Sequence, residues 1–334
     1  MTRLMRLVAA AALVAMIQAR GLIIIAQSPP VAVWIDTDPA VGVPDRDVDD
    51  GFALLQAFRS PEIAVRGVSV VFGNAPLERA WPIGRSIVRR FAPAGVRAYR
   101  GARGASDLGL ETPATRALAA ALRSAPLVVL ALGPATNVAT VLKNHPELGE
   151  RIVRVVAVAG RRPGQRFTTG TTNTKGHRDF NFEEDVEAFR VLLMSRVPLS
   201  FAPFEISSKV WLKRADLDAI ANGGGSADWI VAPARRWLGL WTRTFGVDGF
   251  NPFDTLAVAR VTSPSLLTCE TLPARIDVLP DDVTEARMRG TTPERKPYLL
   301  VSREFGPPAR EVDYCYLAAD TFKPDLLRRL SGRH

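Results

Sequence analysis

Residues 31–58 read VAVWIDTDPAVGVPDRDVDDGFALLQAF, and the fold turns on them. Val31 to Asp38 is an apolar run with a polar end, the form of a buried strand, and Gly51 to Phe58 has helical spacing. A strand passing through a polar loop into a helix is the unit of a parallel sheet, and the rhythm recurs along the chain. Val65 to Val71 precedes helical Glu78 to Phe91, Leu127 to Leu132 precedes Ala135 to Lys143, and Ile152 to Ala159 precedes Glu183 to Leu193, with another strand over Val197 to Phe204. Continuously apolar strands are covered on both faces. The expected class is therefore α/β, with a mostly parallel central sheet flanked by helices on both faces and a Rossmann-like core. Ala227 to Phe245 reads as a helix with Trp237, Trp241 and Phe245 at i, i+4 and i+8, a stripe better explained by core packing than by a wall for a stacked base. After Asp254 the pattern turns to shorter strands. With no internal repeat, residues 31–334 form one domain in the simplest division.

The 334 residues are 47% apolar and 23% charged, enough for a large core and incompatible with wholesale disorder. Two cysteines and three histidines leave no thiolate or histidine-rich metal centre, so a bound metal would be held by oxygen. The net charge is +9, yet only six of the 43 basic residues are lysines, and no basic run is interleaved with aromatics. Nucleic acid is not the expected partner. Residues 1–30 stand apart: Arg3 and Arg6 precede eleven apolar residues from Leu7 to Ile17, the build of an export signal with a mature start between about Arg20 and Val31. The expected location is periplasmic or secreted. A longer span, Leu7 to Ala26, keeps an N-terminal anchor open as the alternative, together with a cytoplasmic protein. Cys269 and Cys315 could pair in an oxidising compartment, although spacing alone does not bring them together.

Ligands of parallel α/β sheets sit beyond the carboxyl ends of the strands, which directs attention to the polar residues there. Asp36, Asp38, Asp45, Asp47, Asp49 and Asp50 fall within fifteen residues. Turn and N-cap chemistry accounts for one or two of them, Asp49 or Asp50 capping the helix from Gly51, but six carboxylates repel one another unless a cation sits among them. Calcium or magnesium fits best; the calcium loop of EF-hands does not, since Asp50 takes its glycine position and Gln56 its closing glutamate. Gly73-Asn74, Gly133-Pro134-Ala135-Thr136-Asn137, Asn173 and Asp179-Phe180-Asn181 mark further strand ends. Asn137 reads as a packing or capping residue and Asp254 as the N-cap of the helix Thr255 to Val261.

Taken in order, Asp36-Thr37-Asp38-Pro39 with Asp49-Asp50, Gly73-Asn74, Leu132-Gly133-Pro134-Ala135-Thr136-Asn137, Asp179-Phe180-Asn181 and Asp254-Thr255-Leu256-Ala257-Val258-Ala259 resemble the inosine-uridine preferring nucleoside hydrolases, from about Trp34 to about Leu330. The resemblance implies an α/β sandwich, one calcium ion and hydrolysis of the N-glycosidic bond of ribonucleosides. It implies calcium ligands at Asp38, Asp50, the carbonyl of Leu132 and Asp254, and Asp38 as the base that takes a proton from water. It assigns the ribose hydroxyls to Asp49, Asn74, Asn173, Asp179 and Asn181.

Four features depart from the family pattern. Ala40 replaces a glycine and the loop to Asp49 is lengthened; Asp179 stands where glutamate is usual; Phe253 replaces a histidine near the leaving base; and the export-like leader is unusual. His177 could supply the missing acid, although a lone histidine in a glycine-rich loop is expected to be simply solvated. Two other functions stay open: a nucleoside- or ribose-binding protein with weakened catalysis, and a metal-dependent phosphohydrolase built on Asp36-Thr37-Asp38, against which the lack of a suitable lysine counts. Base preference is not written in the sequence, and a homo-oligomer is compatible with it.

Overall fold

A computed structural model describes residues 29–170, 176–224, 227–282 and 294–332. Nine strands form one sheet: β1 Val31–Thr37, β2 Ile63–Val70, β3 Ala98–Arg100, β4 Leu127–Ala131, β5 Ile152–Ala157, β6 Leu199–Phe201, β7 Leu267–Pro280, β8 Arg295–Val301 and β9 Arg310–Ala318. The helices are α1 Asp49–Phe58, α2 Leu77–Phe91, α3 Pro113–Ser124, α4 Thr136–Asn144, α5 Phe180–Glu184, α6 Val186–Met194, α7 Phe204–Ser207, α8 Arg214–Ala221, α9 Ala227–Phe245, α10 Phe253–Thr262 and α11 Phe322–Leu330. Strand order is β3-β2-β1-β4-β5-β6-β9-β7-β8. The seven strands from β3 to β9 run parallel, and β7 and β8 add an antiparallel edge.

Alternation across each strand explains why both faces are covered. Val33, Ile35, Val128 and Leu130 pack with α1, α9 and α10 on one face, whereas Trp34, Val129 and Ala131 pack with α3, α4 and α6 on the other. The chain leaves β1 for β2 and β3 on one side, then returns to β4 and continues outward on the other. That reversal opens a crevice at the carboxyl ends of β1 and β4, where ligands of such sheets bind.

Three local expectations change. Helix α1 begins two residues before Gly51, because Asp47 Oδ1 accepts from the main-chain N–H groups of Val48 (2.6 Å) and Asp49 (3.2 Å); Asp49 and Asp50 therefore lie inside the first turn rather than capping it. The helix expected over Glu183 to Leu193 is two helices, broken where Asp185 leaves helical geometry and caps α6 by accepting from the Ala188 N–H at 2.9 Å. The region after Asp254 contains β7, a strand of 14 residues, because its first part pairs with β9 and its second with β8. Cys269 and Cys315 face each other across β7 and β9 and are disulfide-bonded. Among the described residues no helix is long and apolar enough to cross a membrane, and the leader lies outside those residues.

The C-terminal helix is tied down by Arg329, which is 4% exposed. Its five N–H donors reach Ser60 (2.7 Å), both oxygens of Glu62 (2.8 Å each), Ser263 (3.0 Å) and Asp325 (2.8 Å), so α11 is locked to the start of β2. Glu62 is 40% exposed and can be rehydrated if the partner is lost. Arg329→Met is therefore expected to cost about 2 kcal/mol, below the loss for a fully buried pair. Denaturant unfolding measures this, and a loss under about 0.5 kcal/mol would show that the clamp is not a stabilising element.

Candidate active site

The end of β1 delivers Asp36, Thr37 and Asp38 into the crevice, all fully buried. Asp36 turns toward the scaffold: its Oδ1 accepts from Asn137 Nδ2 (2.8 Å) and from the Ser69 hydroxyl, tying β1 to β2 and α4. Burial pushes its carboxyl up to about 7 against those two hydrogen bonds. Asn137 also accepts from the Ala102 N–H at 2.9 Å, which makes it the packing residue expected of it.

Asp38 lies on the other side of the strand end. The Asn74 main-chain N–H donates to its Oδ2 at 2.6 Å, while its Oδ1 is buried without a hydrogen-bond partner. Two glycines make room for this carboxylate. A Cβ on Gly73 would stand 2.0 Å from Asp38 Oδ2, and one on Gly133 would stand 2.8 Å from Oδ1; Gly73 also has φ +150°. Asp50 Oδ1 accepts from the Asp38 N–H (3.0 Å) and from the Thr37 hydroxyl, and Asn74 Nδ2 donates to Asp50 Oδ2 at 3.3 Å. Asp49 accepts from the N–H of Asp50 (3.1 Å) and, across the site, from that of Asp254 (3.4 Å).

Oxygens of Asp49, Asp50 and Asp254 lie within 4.8 Å of one another. Together with Asp38 they are each at most 4% exposed, and no lysine or arginine among the described residues forms an ion pair with any of the four. Burial first, and then neighbouring carboxylates, push all four well above the usual range: Asp50 to about 7, with Asp49 adding to the burial, and Asp254 by the charges of Asp49, Asp50 and Asp38. Hard carboxylate oxygens of Asp49, Asp50 and Asp254 at this spacing fit a divalent cation, and the unpartnered Oδ1 of Asp38 is a further buried acceptor at the same strand end. Asp254 is not the N-cap expected from the sequence: it sits in the first turn of α10, which has no side-chain cap.

Above the carboxylates opens a cavity of about 550 Å³. Asp49, Asn74, Leu132, Asp179, Asn181 and Asp254 line it, while Asp38 and Asp50 lie beneath. Asn181 Nδ2 donates to the carbonyls of Leu132 (2.7 Å) and Val158 (3.2 Å), and Asp179 Oδ2 accepts from the Gly160 N–H at 2.8 Å. Burial raises the Asp179 carboxyl to about 6, moderated by the Arg161 charge. Asn173 lies outside the described residues.

The opposite wall is aromatic. Trp237, Trp241 and Phe245 line the cavity, so the α9 stripe is not core alone: Trp241 is buried in the core and also borders the opening. Phe253 lies beside Trp241 (ring centroids 6.3 Å apart) and Phe204 (5.9 Å). His177 is half-buried in the same wall, contrary to the expectation of a solvated side chain, with Phe245 at 5.2 Å and Phe204 at 6.1 Å. Sequence reasoning missed Thr37, which lay inside the aspartate motif as a signal, and Phe167 and Phe204, which carried none.

A sequence model of the inosine-uridine preferring nucleoside hydrolases matches residues 33–310. Two relatives named pyrimidine-specific ribonucleoside hydrolase RihA are 26% identical over 268 residues in Klebsiella pneumoniae and 27% identical over 265 in Salmonella paratyphi C; each match covers 71% of this chain and 81% of the relative. Among solved structures, a plant nucleoside hydrolase, PpNRh1, superposes with a TM-score of 0.73 at 18% identity, covering 91% of this chain and 99% of that one. A purine-preferring ribonucleoside hydrolase from Gardnerella vaginalis gives 0.70 at 20% identity, covering 90% and 98%. The match over most of the chain, on a fold these enzymes share, places the protein in the inosine-uridine preferring nucleoside hydrolase family, as a hydrolase acting on N-glycosyl bonds.

Proposed function

We propose that the protein hydrolyses the N-glycosidic bond of ribonucleosides in a calcium-dependent reaction, releasing ribose and free base. The observation that carries this reading is the group of four buried carboxylates, unpaired with any described cation, at the floor of a cavity at the sheet's switch point. Asp38, Asp50, Asp254 and the Leu132 carbonyl are the proposed calcium ligands; Asp49 has an oxygen within 4.8 Å of those of Asp50 and Asp254 and would be a further candidate. A hard cation held there supplies the positive charge that offsets the carboxylates and lowers the cost of deprotonating water.

The chain's own groups do the rest. Asp38 has a buried oxygen without a hydrogen-bond partner, which suits a general base. Asp49, Asn74, Asp179 and Asn181 line one cavity and would hold the ribose hydroxyls; Asn173, outside the described residues, is proposed as a further partner of the same hydroxyls. Carboxylates gathered under the sugar also favour the positive charge that develops on it as the bond breaks. Residues 31–334 act as the catalytic domain in this reading, with residues 1–30 as an export signal. The Cys269–Cys315 disulfide supports export, since such bonds persist in oxidising compartments.

Incubation with a panel of purine and pyrimidine ribonucleosides is expected to release ribose, to stop after exhaustive chelation and to resume with calcium. Asp254→Ala should lose both activity and calcium-induced thermal stabilisation, the latter about 2.7 kcal/mol for wild type at a hundredfold excess over Kd. Full activity of the chelated enzyme would sink the metal assignment. A site built to pair hydroxyls leaves its polar groups unmatched when one is missing, so 2′-deoxynucleosides should have kcat/KM values on the order of a thousandfold lower. Equal values for a ribonucleoside and its deoxy counterpart would remove the ribose assignment. For export, N-terminal sequencing should begin between about Arg20 and Val31, and the two cysteines should alkylate only after reduction. Recovery of Met1 from a soluble cytoplasmic fraction would refute it.

A further inference from the structure

Breaking the bond between C1′ and the base nitrogen leaves an electron pair on a heterocycle that departs poorly unless it is protonated. The floor of the cavity carries carboxylates suited to the sugar and the water, and the aromatic wall is the side on which a base can stack. Phe253 has no proton to give. Arg178, also at the cavity, is paired with Glu183 and Glu184, and a guanidinium does not deprotonate at working pH.

Among the described residues, His177 is the one histidine lining this cavity. Imidazole is the side chain whose ordinary ionisation lies near neutrality, as a leaving-group acid requires. Its placement is supported from several sides. The main-chain N–H of His177 donates to the Phe167 carbonyl at 2.6 Å, Phe245 meets the imidazole edge-on at 5.2 Å, and Phe204 lies 6.1 Å away. Phe204 also packs on Phe253, with centroids 5.9 Å apart, so His177 and Phe253 flank the same ring and border the same part of the cavity. The rings that hold the imidazole are also surfaces against which a heterocyclic base can stack.

We infer that His177 is the catalytic acid that protonates the departing base, an inference that rests on the proposed hydrolysis of ribonucleosides at this site. Water bonds to C1′ through its oxygen and yields a proton to Asp38. The C1′–N electron pair passes to the base, which takes the imidazolium proton of His177. Ribose and neutral base leave, Asp38 releases its proton to solvent, and His177 takes one up.

The test compares a natural substrate with one whose leaving group needs little protonation. His177→Gln and His177→Asn are assayed with calcium on inosine, uridine and p-nitrophenyl riboside, using preparations that keep the wild-type unfolding midpoint. Hydrolysis of inosine and uridine is expected to fall about a hundredfold or more, within the range that general acid catalysis contributes, while the p-nitrophenyl riboside loses less than about threefold. Equal losses on all three substrates, or no loss on the nucleosides, would overturn the assignment. A wild-type protein inert toward all three would instead overturn the underlying reading of ribonucleoside hydrolysis, and this inference with it.

Discussion

Repulsion among four carboxylates withdrawn from water is the constraint that the rest of the site obeys. Each unpaired buried charge costs several kcal/mol, so the scaffold must hold together a group that would otherwise spread or take up protons. Part of the compensation is local. Helices α1 and α10 begin at Asp49 and Phe253, so two N-terminal turns, with unsatisfied N–H groups and positive dipole ends, converge on the cluster. Main-chain donors of Asp38, Asn74 and Asp254 complete it, each aimed at a carboxylate from a different segment. What remains uncompensated is what a bound cation would neutralise.

The sheet explains how residues so far apart in sequence meet. Because the chain reverses direction at β1 and β4, Asp38 and Leu132 emerge side by side, and Gly73 and Gly133 close around the Asp38 carboxylate from either side. The aromatic wall comes from elsewhere, on α7, α9 and α10 and the segment around Phe167, so sugar end and base end are built by different parts of the fold.

Much of this was legible in the sequence because strand ends in parallel sheets are functional by geometry. Asp38, Asp49, Asp50, Asn74, Asp179 and Asn181 could be placed near one crevice from the pattern of strand ends, and Leu132 and Asp254 from the family resemblance; all of them border it or lie beneath it. Helix α1 starts two residues before Gly51 because Asp47 accepts from the N–H groups of Val48 and Asp49. A helical aromatic stripe does not reveal whether its face meets core or opening, and Trp241 meets both. His177 was misjudged for a related reason: local composition says loop, whereas its burial is decided by Phe204 and Phe245, which arrive from later elements. The disulfide depends on the register of β7 with β9 across 46 residues, which no spacing argument supplies.

The position of β9 carries a consequence for how the chain is made. It is the last strand in sequence, yet it lies between β6 and β7, so the sheet cannot be completed until residues 310–318 are available, and the Arg329 clamp needs residues later still. Long-range closure of this kind delays folding until synthesis is nearly finished. A nascent chain therefore lacks the strand that joins β6 to β7 until synthesis is nearly complete, and β7 and β8 have no place in the sheet before then.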